Sequence, residues 1–305
     1  MQARFFCLCM SPALDATVTL PAWPSDGVIF KAVAETENVG GNGINVARWL
    51  ALRGAEVACG GLLGADNAAP FEQELARCGI DDVFVRVPGA TRRNEMVVTP
   101  GGSFKLNRPA FPGLKFAGLD VLEKRGDAEE GMRVAILSGS LPPAVPKDFY
   151  AAAIRALKAR GWTIVLDASG EALRLGVAAG PDLIKPNADE CEPLVGFVPR
   201  TPDEFRRATE ALRAQAAHVI ISDGGAGAWF DGEFTAAPAV DVLDTTSAGD
   251  TLLAEYCWRT WGCGVLDAPR DAAKWAVAAG SAAVTMPGSV PPPIELVERL
   301  AHETK

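Results

Sequence analysis

The segment from Asp244 to Thr251, which reads DTTSAGDT, carries the residue types most directly suited to chemistry. It follows a strand-like run that ends near Leu243 and precedes an apolar helical run. Small residues let a ligand approach the backbone closely. The free N–H groups and partial positive charge at a helix start bind anions. Asp250 therefore either caps this helix or faces the anion, and the segment alone leaves these two interpretations at even odds.

A second glycine-rich segment, residues 39–48, reads VGGNGINVAR. Apolar residues recur at helical spacing from Ile44 onward and Gly54 provides a stop, so the pattern predicts a helix. The glycines do not fit the G-x-G-x-x-G spacing of a dinucleotide-binding turn, and the sequence shows no clear strand leading into them at the right distance. Asn42 and Asn45 lie at the helix start, where their amides either hydrogen-bond ligand hydroxyls or cap the helix.

The chain has 305 residues, of which 49% are hydrophobic, and this is enough apolar material for one large α/β domain. Its net charge of −9 argues against general binding to nucleic acid or to anionic membranes, although a local basic pocket can still hold an anionic substrate. The seven cysteines are scattered without a C-x-x-C pair, which is typical of a reducing compartment. No signal peptide or apolar run of about 18 residues is present, so we expect a cytoplasmic protein.

Histidine chemistry has little support in this sequence. The chain contains only two histidines, His218 and His302, and neither has a metal-ligand partner at helical spacing. Zinc-dependent hydrolysis and Ser-His-Asp catalysis are therefore disfavoured.

Strands and helices alternate along most of the chain. Short apolar runs predict strands, and apolar positions at a period of 3.6 predict helices. The alternation predicts an α/β fold with a mainly parallel sheet covered on both faces. The predicted strands are residues 4–10, 56–63, 133–140, 163–167, 182–185 and 219–222, with a hairpin-like segment to residue 240. The predicted helices are residues 44–53, 67–78, 146–160, 172–179, 202–217, 250–261 and 268–284, with shorter helices from residue 189 and after the proline-rich turn 287–293.

Residues 16–38 and 82–108 lack helical periodicity and hold short strand-like pieces, so we expect them to form a small separate sheet. The second stretch carries the cations Arg92, Arg93, Lys105 and Arg108. These cations either keep an exposed sheet edge from aggregating or clamp an anionic ligand, to which arginine can donate two hydrogen bonds. The sequence shows no internal repeat or interdomain linker, so we expect a single domain spanning residues 1–305.

Polar or glycine-rich residues follow most of the predicted strands. The carboxyl ends of parallel strands share one edge of a sheet and carry the ligand-binding residues of open α/β folds. We therefore expect these residues to meet in one crevice, at which the two glycine-rich helix starts also point. Such an arrangement suits phosphate groups and a hydroxylated ligand. The strand-end residues are Asp15, Ser138–Ser140, Lys185–Asn187, Ser222–Gly227 and Asp250.

The two glycine-rich segments, in this order and at this distance, resemble the N- and C-terminal signatures of the PfkB (ribokinase-like) carbohydrate kinases. The N-terminal match is GGNGINVA at residues 40–47, and the C-terminal match is DTTSAGD at residues 244–250. The segments SPALD (11–15), SGSLPP (138–143) and DASGEAL (167–173) resemble the branch that holds 1-phosphofructokinase, tagatose-6-phosphate kinase and the minor 6-phosphofructokinase. The resemblance covers essentially the whole chain.

This resemblance implies a ribokinase-like three-layer α/β/α fold with a mainly parallel central sheet. A small β-sheet lid would be formed by about residues 13–38 and 83–110, and relatives often pair into homodimers through this lid. The implied reaction is ATP- and Mg²⁺-dependent phosphorylation of a hydroxyl on a phosphorylated ketohexose, in the manner of 1-phosphofructokinase. A closing lid would exclude water and so suppress wasteful hydrolysis of ATP.

The resemblance also implies roles for individual residues. Asp250 would be the base that takes the proton from the acceptor hydroxyl. The backbone N–H groups of Ser247, Ala248 and Gly249 would form the anion hole for the moving phosphoryl group. Further matched positions would bind the sugar (Asp15, Gly41, Asn42, Asn45 and Ser140), the substrate's own phosphate (Arg92 and Lys105), the nucleotide (Lys185, Asn187, Ser222, Gly224 and Gly227) and, indirectly, Mg²⁺ (Glu190).

Three positions depart from the family pattern. Ser247 stands where the first glycine of G-A-G-D is usual, and its Cβ restricts the φ angle of the turn. Asn42 stands where the phosphosugar branch often has lysine or glycine, and an asparagine cannot neutralise a phosphate. Asp223 replaces the leucine of the usual S-L-G and so places a carboxylate near the nucleotide.

Other functions are compatible with these residues. A kinase of an unphosphorylated sugar or nucleoside is one alternative, because Asn42 weakens the case for a phosphosugar. A non-catalytic sugar-phosphate sensor is another, motivated by Ser247 and Asp223 and opposed by the intact Asp250. An NAD-dependent oxidoreductase rests only on a glycine-rich helix start and lacks both the glycine spacing and the acidic partner for the ribose.

Overall fold

The computed structural model describes residues 3–25, 29–111, 114, 116, 118, 122, 131–263 and 269–304. Its strands are β1 (Arg4–Cys9), β2 (Ala13–Thr19), β3 (Ala34–Gly40), β4 (Glu56–Gly64), β5 (Asp81–Val87), β6 (Arg93–Thr99), β7 (Gly102–Leu106), β8 (Arg133–Ser138), β9 (Thr163–Asp167), β10 (Leu183–Ile184), β11 (His218–Ser222), β12 (Gly227–Phe230) and β13 (Glu233–Ala236). Its helices are α1 (Asn42–Leu52), α2 (Ala69–Arg77), α3 (Phe149–Ala159), α4 (Gly170–Val177), α5 (Glu192–Val195), α6 (Pro202–Arg213), α7 (Ala248–Cys257), α8 (Pro269–Ala283) and α9 (Ile294–Glu303).

Nine of the described strands form one sheet in the order β13-β12-β11-β10-β9-β8-β1-β4-β5. Neighbours from β11 through to β5 pair in parallel, whereas the β11–β12–β13 edge is antiparallel. Parallel strands covered on both faces read as continuous apolar runs, as the buried FFCLC of β1 does. The predicted α/β fold with a mainly parallel sheet is therefore confirmed.

Successive residues of β1 point to opposite faces of this sheet and enter two separate cores. Phe5 and Cys7 pack in the core that contains residues of α1, α2, α7, α8 and α9. Phe6 and Leu8 pack in the core that contains residues of α3, α4 and α6. Helices thus cover both faces, which gives three layers, and the carboxyl ends of the parallel strands share one edge.

A second, four-stranded sheet has the order β3-β2-β6-β7, and we call it the lid. β2 pairs antiparallel with β3 and parallel with β6, and β7 pairs antiparallel with β6. β2 follows β1 closely, and β3 leads directly into α1. The lid is therefore connected to the main domain at the carboxyl end of the central strand β1 and at the start of α1.

The predicted lid boundary at residue 83 is wrong. Asp81–Val87 forms β5, which pairs in parallel with β4 at the edge of the main sheet. Alternation of apolar and polar residues predicts a strand but does not indicate which sheet the strand joins. The buried Phe84 packs in the core that contains residues of α1 and α2, on one face of the main sheet. The second part of the lid begins instead at Arg93 with β6. Within the first part, residues 26–28 lie outside the described residues.

The helix that carries Asp250 begins earlier than the sequence pattern predicts. α7 starts at Ala248 rather than at residue 250, and its α-helical part ends at Cys257. Trp258–Gly262 continues it as a π-helical turn. Asp250 thus lies in the first turn of α7, where the helix dipole is positive.

The helix predicted from residue 189 also differs in extent, and the helix predicted over residues 202–217 ends earlier, at Arg213. The helix predicted from residue 189 is a 3-10 turn, Asp189–Cys191, followed by the four-residue α5, which ends at Gly196 with a φ of 85°. The predicted start of the next-to-last helix at residue 268 lies outside the described residues, and α8 is described from Pro269. None of the helices in the described ranges is long and apolar enough to cross a membrane.

The turn before α7 holds a serine in a conformation that favours glycine. Ser247 has a φ of 64° and a ψ of 1°, a left-handed region that costs a residue with a Cβ about 1–2 kcal/mol. One Asp244 carboxylate oxygen accepts from the Thr246 N–H at 2.8 Å, and the other accepts from the Gly288 N–H at 3.0 Å. These bonds hold the turn in place, so Ser247 occupies the geometry that a glycine would adopt without strain.

We expect Ser247→Gly to raise the melting temperature by about 1–4 °C. Relief of the left-handed strain outweighs the extra freedom that a glycine gives the unfolded chain, which leaves a gain of about 0.5–1 kcal/mol. Thermal unfolding followed by circular dichroism measures the change. Ser169→Gly is the matched control, because Ser169 also precedes a helix but has an extended φ of −131°, and we expect it to be slightly destabilising. An unchanged or lowered melting temperature for Ser247→Gly would contradict this account.

Candidate active site

A polar cleft of about 580 Å³ lies between the lid and the carboxyl ends of the central strands. Side chains from both sheets and from the starts of α1 and α7 line it. The structure thereby brings together many residues that the sequence analysis singled out. These are Asp15, Gly41, Asn42, Asn45, Arg92, Lys105, Ser140, Glu190, Ser247 and Asp250.

α1 begins directly against the end of β1 because two glycines leave room for it. A Cβ on Gly41 would lie 2.8 Å from Cys9 Sγ, and a Cβ on Gly43 would lie 2.8 Å from the Leu8 carbonyl oxygen. Gly41 also has a φ of 121°, which other residues rarely adopt. The close approach places Asn45, in the first turn of α1, at the cleft.

Asp250 is a buried carboxylate that opens on this cleft. The residue is 5% exposed and accepts a hydrogen bond of 2.8 Å from Asn45 Nδ2. Burial raises the pKa of Asp250 to about 7, with a further contribution from the negative charge of Asp167. The Asn45 amide, the Lys185 ammonium and the Asn42 amide oppose this rise. A carboxyl group with such a pKa is well matched to accept a proton at neutral pH.

A buried ion pair lies next to the start of α7. Lys185 Nζ is 3.1 Å from Asp167 Oδ1, and the two side chains are only 8% and 11% exposed. Burial alone would lower the pKa of Lys185, but the charge and hydrogen bond of Asp167, together with the charges of Asp250 and Glu190, raise it overall, so the ammonium stays protonated. A Cβ on Gly249 would lie only 3.3 Å from Lys185 Nζ. Because Gly249 has no side chain, the Lys185 ammonium lies close to the start of α7. The ammonium charge and the free N–H groups of the helix start both favour the binding of an anion there.

Two of the four lid cations face the cleft. Arg92 donates to the carbonyl oxygens of Ser11 at 3.1 Å and Pro12 at 3.4 Å, and it also donates to the Arg108 carbonyl oxygen at 3.0 Å. These bonds use three of the five guanidinium N–H groups. Lys105 is exposed on β7 and lines the same cleft. Neither cation has a carboxylate ion-pair partner within the described ranges, so both charges are available to an anionic ligand.

The other two lid cations contribute no charge to the lining of this cleft. Arg93 pairs with Glu35, Glu37 and Glu95 on the opposite side of β6. Arg108 pairs with Glu95 at 3.2 Å. Because neighbouring residues of a strand alternate between faces, the run Arg92-Arg93 divides its charge between the cleft and the outside of the lid.

Asn94 and Asp167 line the cleft, although the sequence patterns gave them no individual role. Asn94 Nδ2 donates to Asp15 Oδ1 at 2.9 Å and so fixes that carboxylate on the lid. Asn94 is two residues beyond Arg92, and this spacing on a strand is the signal that places both on one face. Asp167 ends β9, and its position at a strand end is the signal that identifies it.

The residues predicted to bind the nucleotide continue along the same sheet edge. Asn187 and Glu190 exchange two hydrogen bonds of 2.9 Å, each from a backbone N–H to the other's side chain. Asn187 also forms a parallel bridge to Ser222 at the end of β11. Gly224 lies in the turn that follows β11, and Gly227 is the first residue of β12. Residues at two adjacent strand ends are thus joined into one surface beside the cleft.

Two features of this edge concern charge. Partial burial raises the pKa of Asp223, and the nearby charge of Arg200 opposes the rise. Among the described residues, no three His, Cys, Asp or Glu side chains come together as a metal-binding group. Asp167 and Glu190 nevertheless both present carboxylates to the cleft.

Several known proteins are similar to this chain. The family model described as "pfkB family carbohydrate kinase" matches residues 14–295. The 1-phosphofructokinase of Rhodobacter capsulatus is 34% identical over 263 residues, which cover 83% of this chain and 83% of that protein. The 1-phosphofructokinase of Haloferax volcanii is 31% identical over 299 residues, which cover 96% of this chain and 94% of that protein.

Solved structures show the same architecture. Phosphofructokinase-2 from Escherichia coli, in complex with potassium, superposes with a TM-score of 0.87 at 26% identity, covering 99% of each chain. Ribokinase from Thermotoga maritima has a TM-score of 0.72 at 20% identity, covering 99% of this chain and 100% of that chain, and shares the fold. The main sheet, its helices and the lid therefore form a ribokinase-like fold. With both signatures at one cleft and the family model matched over most of its length, the chain belongs to the pfkB family of carbohydrate kinases.

Proposed function

We propose that this carbohydrate kinase uses ATP to phosphorylate a hydroxyl of a ketohexose that already carries a phosphate. The relatives named 1-phosphofructokinase support this choice of substrate class. The observation that carries the proposal is the composition of one cleft. Its core side holds the buried carboxylate of Asp250 at a helix start, and its lid side holds Arg92 and Lys105.

The lid cations would bind the phosphate that the sugar already carries. Arg92 is held by backbone carbonyl oxygens, so its remaining N–H groups are pre-oriented for an oxyanion. Lys105 adds a second positive charge from the neighbouring strand. The sugar would then extend from the lid toward Asp250. Its hydroxyls would bind among Asp15, Gly41, Asn42, Asn45 and Ser140.

Asp250 would take the proton of the acceptor hydroxyl while that oxygen forms its bond to the γ-phosphorus of ATP. The bond from the γ-phosphorus to the bridging oxygen breaks, and ADP leaves with that oxygen. The N–H groups of residues 247–249 and the Lys185 ammonium would stabilise the charge of the moving phosphoryl group. The Ala248 N–H lies 3.5 Å from the Thr245 carbonyl oxygen, a contact too long to satisfy it well within the protein.

The donor set on the core side of the cleft fits Mg²⁺. Asp167 and Glu190 present carboxylate oxygens, and Mg²⁺ takes a few such ligands together with water and phosphate oxygens. Bound Mg²⁺ would neutralise charge on the ATP phosphates. Two hydrogen bonds with Asn187 fix the position of Glu190, whose carboxylate would bind a water molecule coordinated to the Mg²⁺ ion. The nucleotide would lie along Lys185, Asn187, Ser222, Gly224 and Gly227.

Release of ADP from Mg²⁺-ATP tests this proposal when it is measured with phosphorylated ketohexoses, free sugars and nucleosides as acceptors. We expect turnover with a ketohexose phosphate. Turnover restricted to free sugars or nucleosides would contradict the proposed substrate. Tight binding of sugar phosphates without turnover of any acceptor would support a sensor instead.

We expect Asp250→Asn to lower kcat by about 100-fold to 10,000-fold, because an amide cannot accept the hydroxyl proton. The Kd for the sugar phosphate should change little, since asparagine keeps the shape of the side chain. ADP release gives kcat, and calorimetry gives Kd. Asp223→Asn is the matched control. It also replaces a carboxylate at this edge of the sheet, and the proposed reaction gives the Asp223 carboxylate no role in proton transfer. A near-normal kcat for Asp250→Asn would refute its role as the base.

We expect Arg92→Gln and Lys105→Gln each to raise the KM for the phosphorylated sugar by about 10- to 100-fold, the effect of losing one charge-assisted contact. The KM for ATP should stay near its normal value, because both cations are on the lid. Steady-state kinetics with each substrate varied in turn measure both constants. Arg108→Gln is the matched control, since Arg108 pairs with Glu95 and not with the cleft. An equal rise for Arg108→Gln would show that lid charge in general, rather than these two positions, sets affinity.

We also propose that two copies of the chain pair through the outer face of the lid. Phe104 and Leu106 on β7 are 44% and 49% exposed, and Trp23 packs edge-on against Phe104 with ring centroids 5.9 Å apart. Phe104 lies opposite Val97, so these apolar side chains share the face turned away from the cleft. An exposed apolar patch of this kind favours association, and the Arg93 ion pairs lie beside it on the same face.

Phe104→Arg should convert the dimer into a monomer, because it places a charge in the apolar contact. Light scattering coupled to size-exclusion chromatography should give twice the chain mass of 32.0 kDa for the unmodified protein and the single chain mass for the variant. Phe234→Arg is the matched control, since Phe234 is also 44% exposed but belongs to the β12–β13 hairpin. A monomeric unmodified protein at micromolar concentration would contradict the proposed pairing.

A further inference from the structure

Arg48 is a buried cation one turn beyond Asn45 on α1, and the proposed chemistry gives it no role. The residue is 5% exposed. Its Nη2 donates to Asn45 Oδ1 at 2.7 Å and to the hydroxyl and carbonyl oxygens of Ser289 at 3.0 and 2.9 Å. Its Nη1 donates to Glu74 Oε1 at 3.3 Å. A guanidinium buried to this degree requires partners that stay in place, so these contacts define its position.

The contact with Arg48 decides which end of the Asn45 amide faces the base. A guanidinium has only donors, so it can bind the amide only through the oxygen. With Oδ1 turned toward Arg48, Nδ2 must turn the other way, and it donates to Asp250 Oδ2 at 2.8 Å. Rotation of the amide by a half turn would set donor against donor at Arg48 and oxygen against oxygen at an ionised Asp250.

The orientation of the amide matters because the two forms of Asp250 prefer opposite ends of it. The ionised carboxylate only accepts hydrogen bonds and therefore needs the Nδ2 end, whereas a protonated carboxyl can donate to Oδ1. Other groups also act on Asp250: Asp167 favours the protonated form, and Lys185 and Asn42 favour the ionised form. The Asn45 contact differs from these because its direction depends on a third residue.

We propose that Arg48 is a positioning residue for catalysis, which acts on Asp250 through Asn45 by holding the amide in the orientation that stabilises the proton-accepting carboxylate. This inference rests on the proposed role of Asp250 as the base. Arg48 is itself tied to the attachment of the lid, because the Ser289 hydroxyl donates to the Val39 carbonyl oxygen at 3.4 Å near the end of β3. The base, α1 and the root of the lid are thus connected through one side chain.

The test is the titration of the Asp250 carboxyl in Arg48→Met, followed by carbon-13 NMR in the free protein. We expect its pKa to rise by about one pH unit, the effect of losing one charge-assisted hydrogen bond. At pH 7 this change leaves about fivefold less of the ionised base, so kcat should fall about fivefold there and recover near pH 9. A merely structural defect would lower kcat at every pH.

A double-mutant cycle separates action through Asn45 from a direct effect of the Arg48 charge. In an Asn45→Ala background, Arg48→Met should produce no further shift of the Asp250 pKa. Arg77→Met is the matched control, because Arg77 also binds Glu74 but is exposed and has no bond to Asn45. We expect this control to leave the Asp250 titration unchanged.

A shift that persists in the Asn45→Ala background, or a folded Arg48→Met protein with a normal Asp250 titration, would overturn the inference. If Arg48→Met does not fold, Arg48→Gln takes its place. Its amide can present either end to Asn45 and so imposes no orientation, and the same upward shift is expected, while a normal titration would overturn the inference. The NMR readout requires no turnover. A shifted titration in a protein without kinase activity would therefore sink the proposed function, while the action of Arg48 on Asp250 through Asn45 would still stand.

Discussion

The buried carboxylate of Asp250 lies where α1 and α7 begin and is bound by Asn45, so it restricts how these two helices can be arranged. Asp250 loses water there, which favours its neutral form, and only groups fixed nearby can restore the ionised form. α1 and α7 must therefore keep a constant spacing. Glu255, further along α7 and fully buried, accepts from Trp49 Nε1 at 2.8 Å and lies 3.3 Å from Arg53 Nε. This second polar contact joins the same two helices at a distance from the cleft.

The lid side and the core side of the cleft carry different charged residues. The core side combines helix starts with Lys185 and three acids, Asp167, Glu190 and Asp250, an environment suited to phosphates, Mg²⁺ and proton transfer. The lid side carries Arg92 beside β6 and Lys105 on β7, the two lid strands farthest from β3, which leads into α1. A substrate that spans both sides would order the lid as it binds, and closure would exclude water before the phosphoryl group moves.

Much of this arrangement could be predicted because it follows from local patterns. Apolar runs such as β1 mark buried parallel strands, and the carboxyl ends of β8 and β11 place Ser140 and Ser222 on one edge although they are far apart in sequence. The assignment of residues 83–87 to the lid failed because alternation does not specify a sheet. The Asn45–Asp250 bond joins residues 205 positions apart, and no local pattern encodes such a side-chain partner. The left-handed geometry of Ser247 was equally inaccessible, since it depends on bonds to Asp244 from residues on two segments.

In the proposed reaction, Asp250 must be ionised before the phosphoryl group can move. The direct measurement is kcat from pH 5.5 to 9, at saturating ATP and sugar phosphate, for the unmodified protein and for Asp250→Asn. Because burial raises the pKa of Asp250 to about 7, kcat should fall about tenfold per pH unit below that value. The residual activity of Asp250→Asn should lack this acidic limb. If the variant keeps the same limb, another group titrates, and Asp250 is not the base.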